Sequence, residues 1–385
     1  MDTADVIDQV KERLRIVDEP RTGNAMQHPL QTILFAAIFG TMMGEDTFED
    51  IWRWTQGHKD WLENFLEFPA GVPSHDTFCR VFRLLDPDEL RQSFVRWSRA
   101  LAEVDTELVA LDGKTLEQSF EDGDPEKALE MVTAWGAANG LTLAAEGFED
   151  GDELGAIETT VELLDLQDCL VTVDALGCQR RLSRKICQQG GDYLFCVKQN
   201  QGELASQIET FFEWALDDER PDDQEVPAID HWKETDAGHG RVEEREVWWT
   251  EATDALQLQR RWPYLEGFAR IVATRHVDGE AQQEVRYYIS SREDVDAETV
   301  GSDIRTHWEV ENKVHWVMDV TFGEDDRRMR QEHAAENMAL IHRMVSNILR
   351  QSDIKDASIR SKRKMLSWNF DYFIQVLNDG AAANL

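Results

Sequence analysis

Two short apolar runs in this chain each stop on an aspartate: Leu108-Val109-Ala110-Leu111 before Asp112, and Cys169-Leu170-Val171-Thr172-Val173 before Asp174. Runs of this length read as strands buried on both faces. A carboxylate beside such a strand costs several kcal/mol unless it is paired or binds a cation. The fold must therefore cover a sheet on both sides and give two carboxylates a partner. Taken singly, each aspartate also fits a strand-end turn residue. On adjacent strands of one sheet the two would reach a single ion, and Mg²⁺ suits them, taking hard oxygen ligands and keeping positions for water and phosphate oxygens.

The neighbouring patterns supply such a sheet. Strand character runs through Leu108–Asp112, Ala128–Ala137 and, after the Asn139-Gly140 turn signal, Leu141–Phe148. A helix is expected over Glu153–Leu166, a strand over Cys169–Asp174, a helix over Cys178–Gln189 and a strand over Tyr193–Val197. The order β-β-β-α-β-α-β predicts an α/β fold, a ribonuclease H-like mixed sheet with flanking helices. Before it, residues 1–104 read as an N-terminal helical module, with apolar periodicity in Leu30–Met43, Phe48–Trp61, Thr77–Leu85 and Glu89–Leu101 and prolines between. Residues 105–200 read as the first part of the core, 201–300 as a β-rich insertion with strands at Arg245–Thr250, Ala269–Thr274 and Val285–Ser290, and 301–350 as the rest of the core. Residues 351–385 read as a basic, helical tail, and 341–385 carry seven basic against four acidic side chains.

Charge opposes the partner that such a site would serve. Forty Lys and Arg against 76 Asp and Glu leave −36, a field that repels nucleic acid and anionic membranes. An acidic proteome adapted to high salt accounts for it, because the Debye length falls to about 3 Å at 1 M and local basic patches then outweigh net charge. No apolar stretch reaches the roughly 20 residues that span a bilayer, and no leader pattern is evident, so the expected location is cytoplasmic, nucleoid-associated when bound to DNA. The five cysteines match neither a zinc site nor a redox pair.

A third carboxylate is offered by the run His307-Trp308-Glu309-Val310-Glu311-Asn312-Lys313-Val314-His315-Trp316. His307, Glu311 and His315 recur every four residues along one drifting helix stripe. A His-Glu-His stripe offers zinc ligands, but each four-residue step turns about 40°, so three ligands on one straight helix converge poorly. Glu311 reads better as the third member of the two-strand site, with the histidines as phosphate or water contacts. Trp308 and Trp316 flank it, where base stacking competes with core packing.

With Leu111-Asp112-Gly113-Lys114-Thr115-Leu116, Val173-Asp174-Ala175-Leu176-Gly177-Cys178-Gln179 and His307 through Asp319-Val320-Thr321-Phe322-Gly323-Glu324-Asp325, the chain resembles the H-repeat-associated insertion-sequence transposases of the DDE superfamily. His75-Asp76-Thr77-Phe78, Lys198-Gln199-Asn200-Gln201, Gly238-His239-Gly240-Arg241-Val242-Glu243 and Arg286-Tyr287-Tyr288-Ile289-Ser290-Ser291 extend the resemblance in order over about residues 10 to 350. It implies a catalytic and metal-binding triad of Asp112, Asp174 and Glu311, spaced by 62 and 137 residues, with Mg²⁺ or Mn²⁺, and cleavage and strand transfer at element ends. It also implies DNA as partner, both terminal inverted repeats and target, and a homodimer in a synaptic complex. Lys114, Arg180, Arg181, Lys198, His307, His315 and Arg327 are the expected DNA contacts. Two departures add acid: Glu117-Gln118 where the family has arginine and glycine, and Asp150-Gly151-Asp152-Glu153 where it has lysine and asparagine before the glutamate. The rival readings are an inactive, decayed copy that only binds DNA, and a structure-selective metal-dependent nuclease.

Overall fold

The computed structural model describes the chain apart from residues 1–6, 9–10, 13, 24–25, 103–107, 121–126, 150, 218, 220–224, 239–240, 252, 257–261, 278–279, 353, 355–356 and 383–385. In chain order it begins with helices α1 (Leu30–Met42), α2 (Phe48–Gly57), α3 (Lys59–Leu62), α4 (His75–Leu84) and α5 (Pro87–Leu101). There follow β1 (Leu108–Thr115), β2 (Glu130–Gly136), β3 (Leu141–Phe148), α6 (Glu153–Leu163), β4 (Leu170–Val173), α7 (Arg180–Gln188), β5 (Asp192–Val197) and α8 (Gly202–Ala215). The remainder is β6 (Asp230–Gly238), β7 (Arg241–Thr250), β8 (Gly267–Val277), β9 (Glu280–Ser290), α9 (Ala297–His307), α10 (Trp316–Phe322), α11 (Ala334–Gln351), α12 (Ile359–Trp368) and α13 (Phe370–Ala382). The ribonuclease H-like element order of a mixed α/β fold is thus present, and no described helix is long and apolar enough to cross a membrane.

The chain forms two units. One comprises Met1–Val104, Gly113–Leu164 and Glu311–Leu385, the other Asp105–Asp112 and Asp165–Val310. The first is organised around α11, whose side chains from Ala334 to Leu349 are buried except Glu336. A helix enclosed on all sides must satisfy its own polar groups. Asn337 Nδ2 donates to the carbonyls of Phe82 and Leu85 at 2.9 Å, and Asn347 exchanges bonds with the backbone of Thr142 on β3. Helices α2, α4 and α5 start on side-chain caps, which satisfy otherwise orphaned N–H groups: Thr47 for α2, Ser74 for α4, and Asp86 followed by Pro87 for α5. Gly140, at φ +65°, turns β2 into antiparallel β3.

The second unit holds a mixed sheet. The first half of β1, β4 and β5 run parallel, in register Leu111↔Val173 and Val173↔Phe195. Beyond β5 the order continues β9, β8, β7, β6, every pair antiparallel. Helix α9 covers one face over Val247, Trp249, Ala269, Ile271 and Tyr288, and Phe211 and Phe212 of α8 pack on Phe268 from another element.

The stretch read as a β-rich insertion differs in three ways. It begins with helix α8, where Ala205, Ile208, Phe211, Phe212 and Ala215 repeat at helical spacing. Its described residues form four strands, not three. Strand β6 is nearly all polar apart from Trp232, so its sequence lacks the apolar alternation that marks a strand. The four strands also extend the sheet of β4 and β5 through the β5–β9 pairing instead of forming a layer of their own. Helix α9 starts at Ala297, capped by Asp296, earlier than the expected start near Asp303. His239, Gly240 and the Val104 boundary lie outside the described residues.

Candidate active site

Parallel pairing of β1 and β4 settles where the two aspartates go. Leu111 lies opposite Val173, so Asp112, inside β1, and Asp174, just past the last residue of β4, come next on neighbouring strands, at the C-terminal end of β4. In open α/β sheets this end is where ligands bind. Both residues are half-buried. Asp174 Oδ1 accepts from Leu176 N–H at 2.9 Å, which fixes the carboxylate at the start of the turn into α7.

His307 closes the same unit from the end of α9. Its Nδ1 is 2.9 Å from Thr172 Oγ1 on β4, two residues before Asp174. Burial pushes the imidazole down to about 4, against the pull of the Asp174 charge and with the push of Arg286. It is a neutral ring at neutral pH. At 8% exposure it has almost no surface to offer a phosphate, and the expected DNA contact is instead a packed side chain bonded to β4.

In the other unit, the chain carrying Glu311 departs from a regular helix. Glu311–His315 forms a turn of π-helix that runs directly into α10, and π-turns recur at functional sites because they re-aim side chains. Glu311 is exposed, and its Oε2 lies 3.1 Å from Nδ1 of His315. His315 is buried, at 4% exposure, and burial lowers its proton affinity while Glu311 pulls the other way. It is set to orient Glu311 and, like His307, is not a surface group.

Lys114 departs further from its expected role. Its Nζ donates to Asp325 Oδ1 at 2.7 Å and to the Thr115 carbonyl at 3.1 Å, and lies 2.7 Å from Asp319 Oδ1. Only 8% of the side chain is exposed. Next to it, a Cβ on Gly113 would meet the carboxylate of Glu153 in the first turn of α6, the far end of a flexible side chain. Asp152 caps that helix through Gly155 N–H, so one of the two acidic departures has a local structural task.

Two carboxylates that follow paired residues of two parallel strands offer hard oxygen donors of the kind that fit a divalent cation. A family described as "Transposase DDE domain" matches residues 104–348, and one described as "DDE_Tnp_1-associated" matches residues 11–98. This chain belongs to the DDE transposase family. A relative in Escherichia coli K12, named "H repeat-associated putative transposase YhhI", is 32% identical over 376 residues, covering 96% of this chain and 97% of that one. The "Uncharacterized protein in dhlA 3'region" of Xanthobacter autotrophicus is 32% identical over 73% of this chain and 94% of its own. A cryo-EM structure of a piggyBac transposase synaptic complex with hairpin DNA aligns with 98% of this chain and 78% of that chain, at 10% identity and a TM-score of 0.39.

The basic residues of this DDE transposase divide sharply. Arg180, Arg181, Arg184 and Lys198 are exposed around the loop and helix that follow Asp174, while Leu182 and Ile186 anchor α7 inward. That loop is held in place by Asn200, whose Nδ2 donates to the Ala175 carbonyl, and by Gln201, whose Nε2 donates to the Cys178 carbonyl at 3.0 Å. Arg180 also lies over the Trp262 ring, 5.8 Å from its centroid. Arg327 is buried instead: it donates to the carbonyls of Phe322 and Asp46 and pairs with the Asp46 carboxylate at 3.1 Å. In the tail, Lys362 caps the carbonyls of Leu349 and Ser352, and Arg363 binds the Thr41 and Thr321 carbonyls and Asp46. Lys114 and Arg327, two of the five Lys and Arg expected to contact DNA, are thus internal scaffolding, as are Lys362 and Arg363.

Sequence reasoning missed the acidic partners of those cations. Glu324 is fully buried, and its Oε1 accepts from His342 Nδ1 at 2.9 Å and from Arg343 at 3.0 Å. Burial pushes the carboxyl up, but Arg343 and His342 outweigh it and hold it at about 2. The run Gly323-Glu324-Asp325-Asp326 was the available signal, since consecutive acids closing a helix that leads from a candidate glutamate need basic partners.

Proposed function

We propose that this transposase cleaves DNA at the ends of its own element and joins the freed end to target DNA, with Asp112, Asp174 and Glu311 as the metal-holding carboxylates. The observation that supports the reading is the β1–β4 register, Leu111 opposite Val173 just before the two aspartates, in a chain of this family. Bound Mg²⁺ or Mn²⁺ would supply an activated water and stabilise charge on the attacked phosphate. The protein's own contribution is orientation. Leu176 N–H holds Asp174, His315 holds Glu311, and the Asn200 and Gln201 amides fix the loop between Asp174 and α7.

Arg180, Arg181 and Lys198 are the cations placed to track a DNA backbone beside that loop, and their contacts would be salt-dependent. Terminal inverted repeats and target DNA are the proposed partners, and joining two ends calls for a homodimer in a synaptic complex.

The test is cleavage of labelled DNA carrying the element's terminal repeats, with Mg²⁺ or Mn²⁺ from low to molar KCl, beside Asp174→Ala. Metal-dependent nicking at the repeat boundary, absent from the variant, is the expected result. A folded wild type that binds the repeats and cuts at no salt concentration would assign the chain to the inactive copies of its family; cutting without end preference or strand transfer would make it a structure-selective nuclease.

A further inference from the structure

Lys114 sits two residues after Asp112, where a cation invites assignment as a phosphate contact. Its surroundings argue otherwise. An ammonium has three protons to donate, and this one has three oxygens around it, from Asp319, Asp325 and the Thr115 carbonyl, at 2.7, 2.7 and 3.1 Å. Two carboxylates already face it, and little of it meets solvent. A phosphate could reach it only by displacing a carboxylate.

The two carboxylates stand on the segment that leads away from Glu311. Asp319 lies in α10, which continues the π-turn of Glu311 without a break, and Asp325 follows Gly323, whose φ of +65° ends that helix. From its other side the same loop is anchored to α11 by the buried Glu324–Arg343 pair. The loop is thereby pinned at two successive residues from two directions, and Lys114 is the pin on the strand that carries the first aspartate of the proposed triad.

We infer that Lys114 is a positioning residue: it locks the helix of Glu311 to β1 through Asp319 and Asp325 and does not touch DNA. This rests on the proposed triad, so the experiment reads metal binding and DNA binding separately. Mn²⁺ binding by the full chain is titrated by electron paramagnetic resonance, and repeat DNA binding is measured against KCl, for wild type, Asp174→Ala, Lys114→Met and Asp325→Asn. Backbone hydrogen exchange of residues 311–326 is followed in the same proteins.

The expected result is a loss of Mn²⁺ affinity on the order of tenfold in Lys114→Met, with faster exchange in α10 and an unchanged salt slope for DNA. Asp325→Asn, which leaves Lys114 in place, shifts both metal affinity and exchange in the same direction. If Lys114→Met instead keeps wild-type Mn²⁺ affinity and lowers the salt slope by about one, Lys114 is a phosphate contact and the inference is overturned. A wild type whose Mn²⁺ binding survives Asp174→Ala overturns the triad; the exchange of α10 then still decides whether Lys114 pins that helix.

Discussion

The buried ionic cluster of Glu324, His342 and Arg343 sets the strongest residue-level expectations. Removing one partner of a buried pair leaves the others uncompensated, so Glu324→Gln should cost about 3–5 kcal/mol, read from urea unfolding at neutral pH. His342 gives the cluster an acid limit. Burial, helped by Arg327, pushes its ring down to about 4 from the ordinary 6.5. Below 6.5 the unfolded chain takes up a proton that the folded chain refuses. This contribution is therefore complete above 6.5 and falls by roughly 1.4 kcal/mol per pH unit toward about 4. His342→Asn keeps a donor where Nδ1 stands but does not titrate. Its unfolding free energy should fall less than that of wild type between pH 7 and pH 4.5; equal losses would show that His342 is not the titrating group.

At the scale of elements, the π-turn before α10 carries the proposed third carboxylate and the β5–β9 pairing carries the sheet. Deleting Asn312 takes one residue out of the wide turn, which rotates Glu311 by about 100° relative to α10. The deletion should leave helix content near wild type by circular dichroism while end cleavage is lost. At the start of β8, a Cβ on Gly267 would clash with the ring of Trp249 on β7. Trp249 is buried in the cluster under α9 and has nowhere to go. Gly267→Ala should therefore destabilise by about 1–3 kcal/mol, measured as a lowered midpoint of thermal unfolding.

For the whole molecule, −36 is the dominant fact. Like charge at this density repels itself and weakens the folded state, and raising salt from 0.1 to 1 M shortens the Debye length from about 10 to about 3 Å. The thermal midpoint should rise with KCl across that range, and repeat DNA binding should persist at salt concentrations where the field of the molecule is screened. A midpoint that falls with KCl would mean that the internal ion pairs, which salt also weakens, outweigh surface repulsion.

What the sequence determined by itself is what depends on local pattern. Helix starts at Thr47, Ser74 and Asp86 follow from caps that bond within three residues. Strand β1, which carries Asp112, and β4, which leads into Asp174, follow from unbroken apolar runs, and their pairing from a chain order that few sheets satisfy. Tertiary structure alone decided which charges are surface and which are scaffold. Lys114, Arg327, Lys362 and Arg363 are indistinguishable in sequence from Arg180 or Lys198, because a cation's role is set by carboxylates and carbonyls that arrive from far along the chain: Asp325 for Lys114, Asp46 for Arg327 and Arg363. The same holds for His307 and His315, whose spacing indicated a shared helix stripe while packing buried both rings, one against Thr172 and the other beside Glu311. Burial is a property of the assembled fold, and a four-residue repeat carries no information about what will cover it.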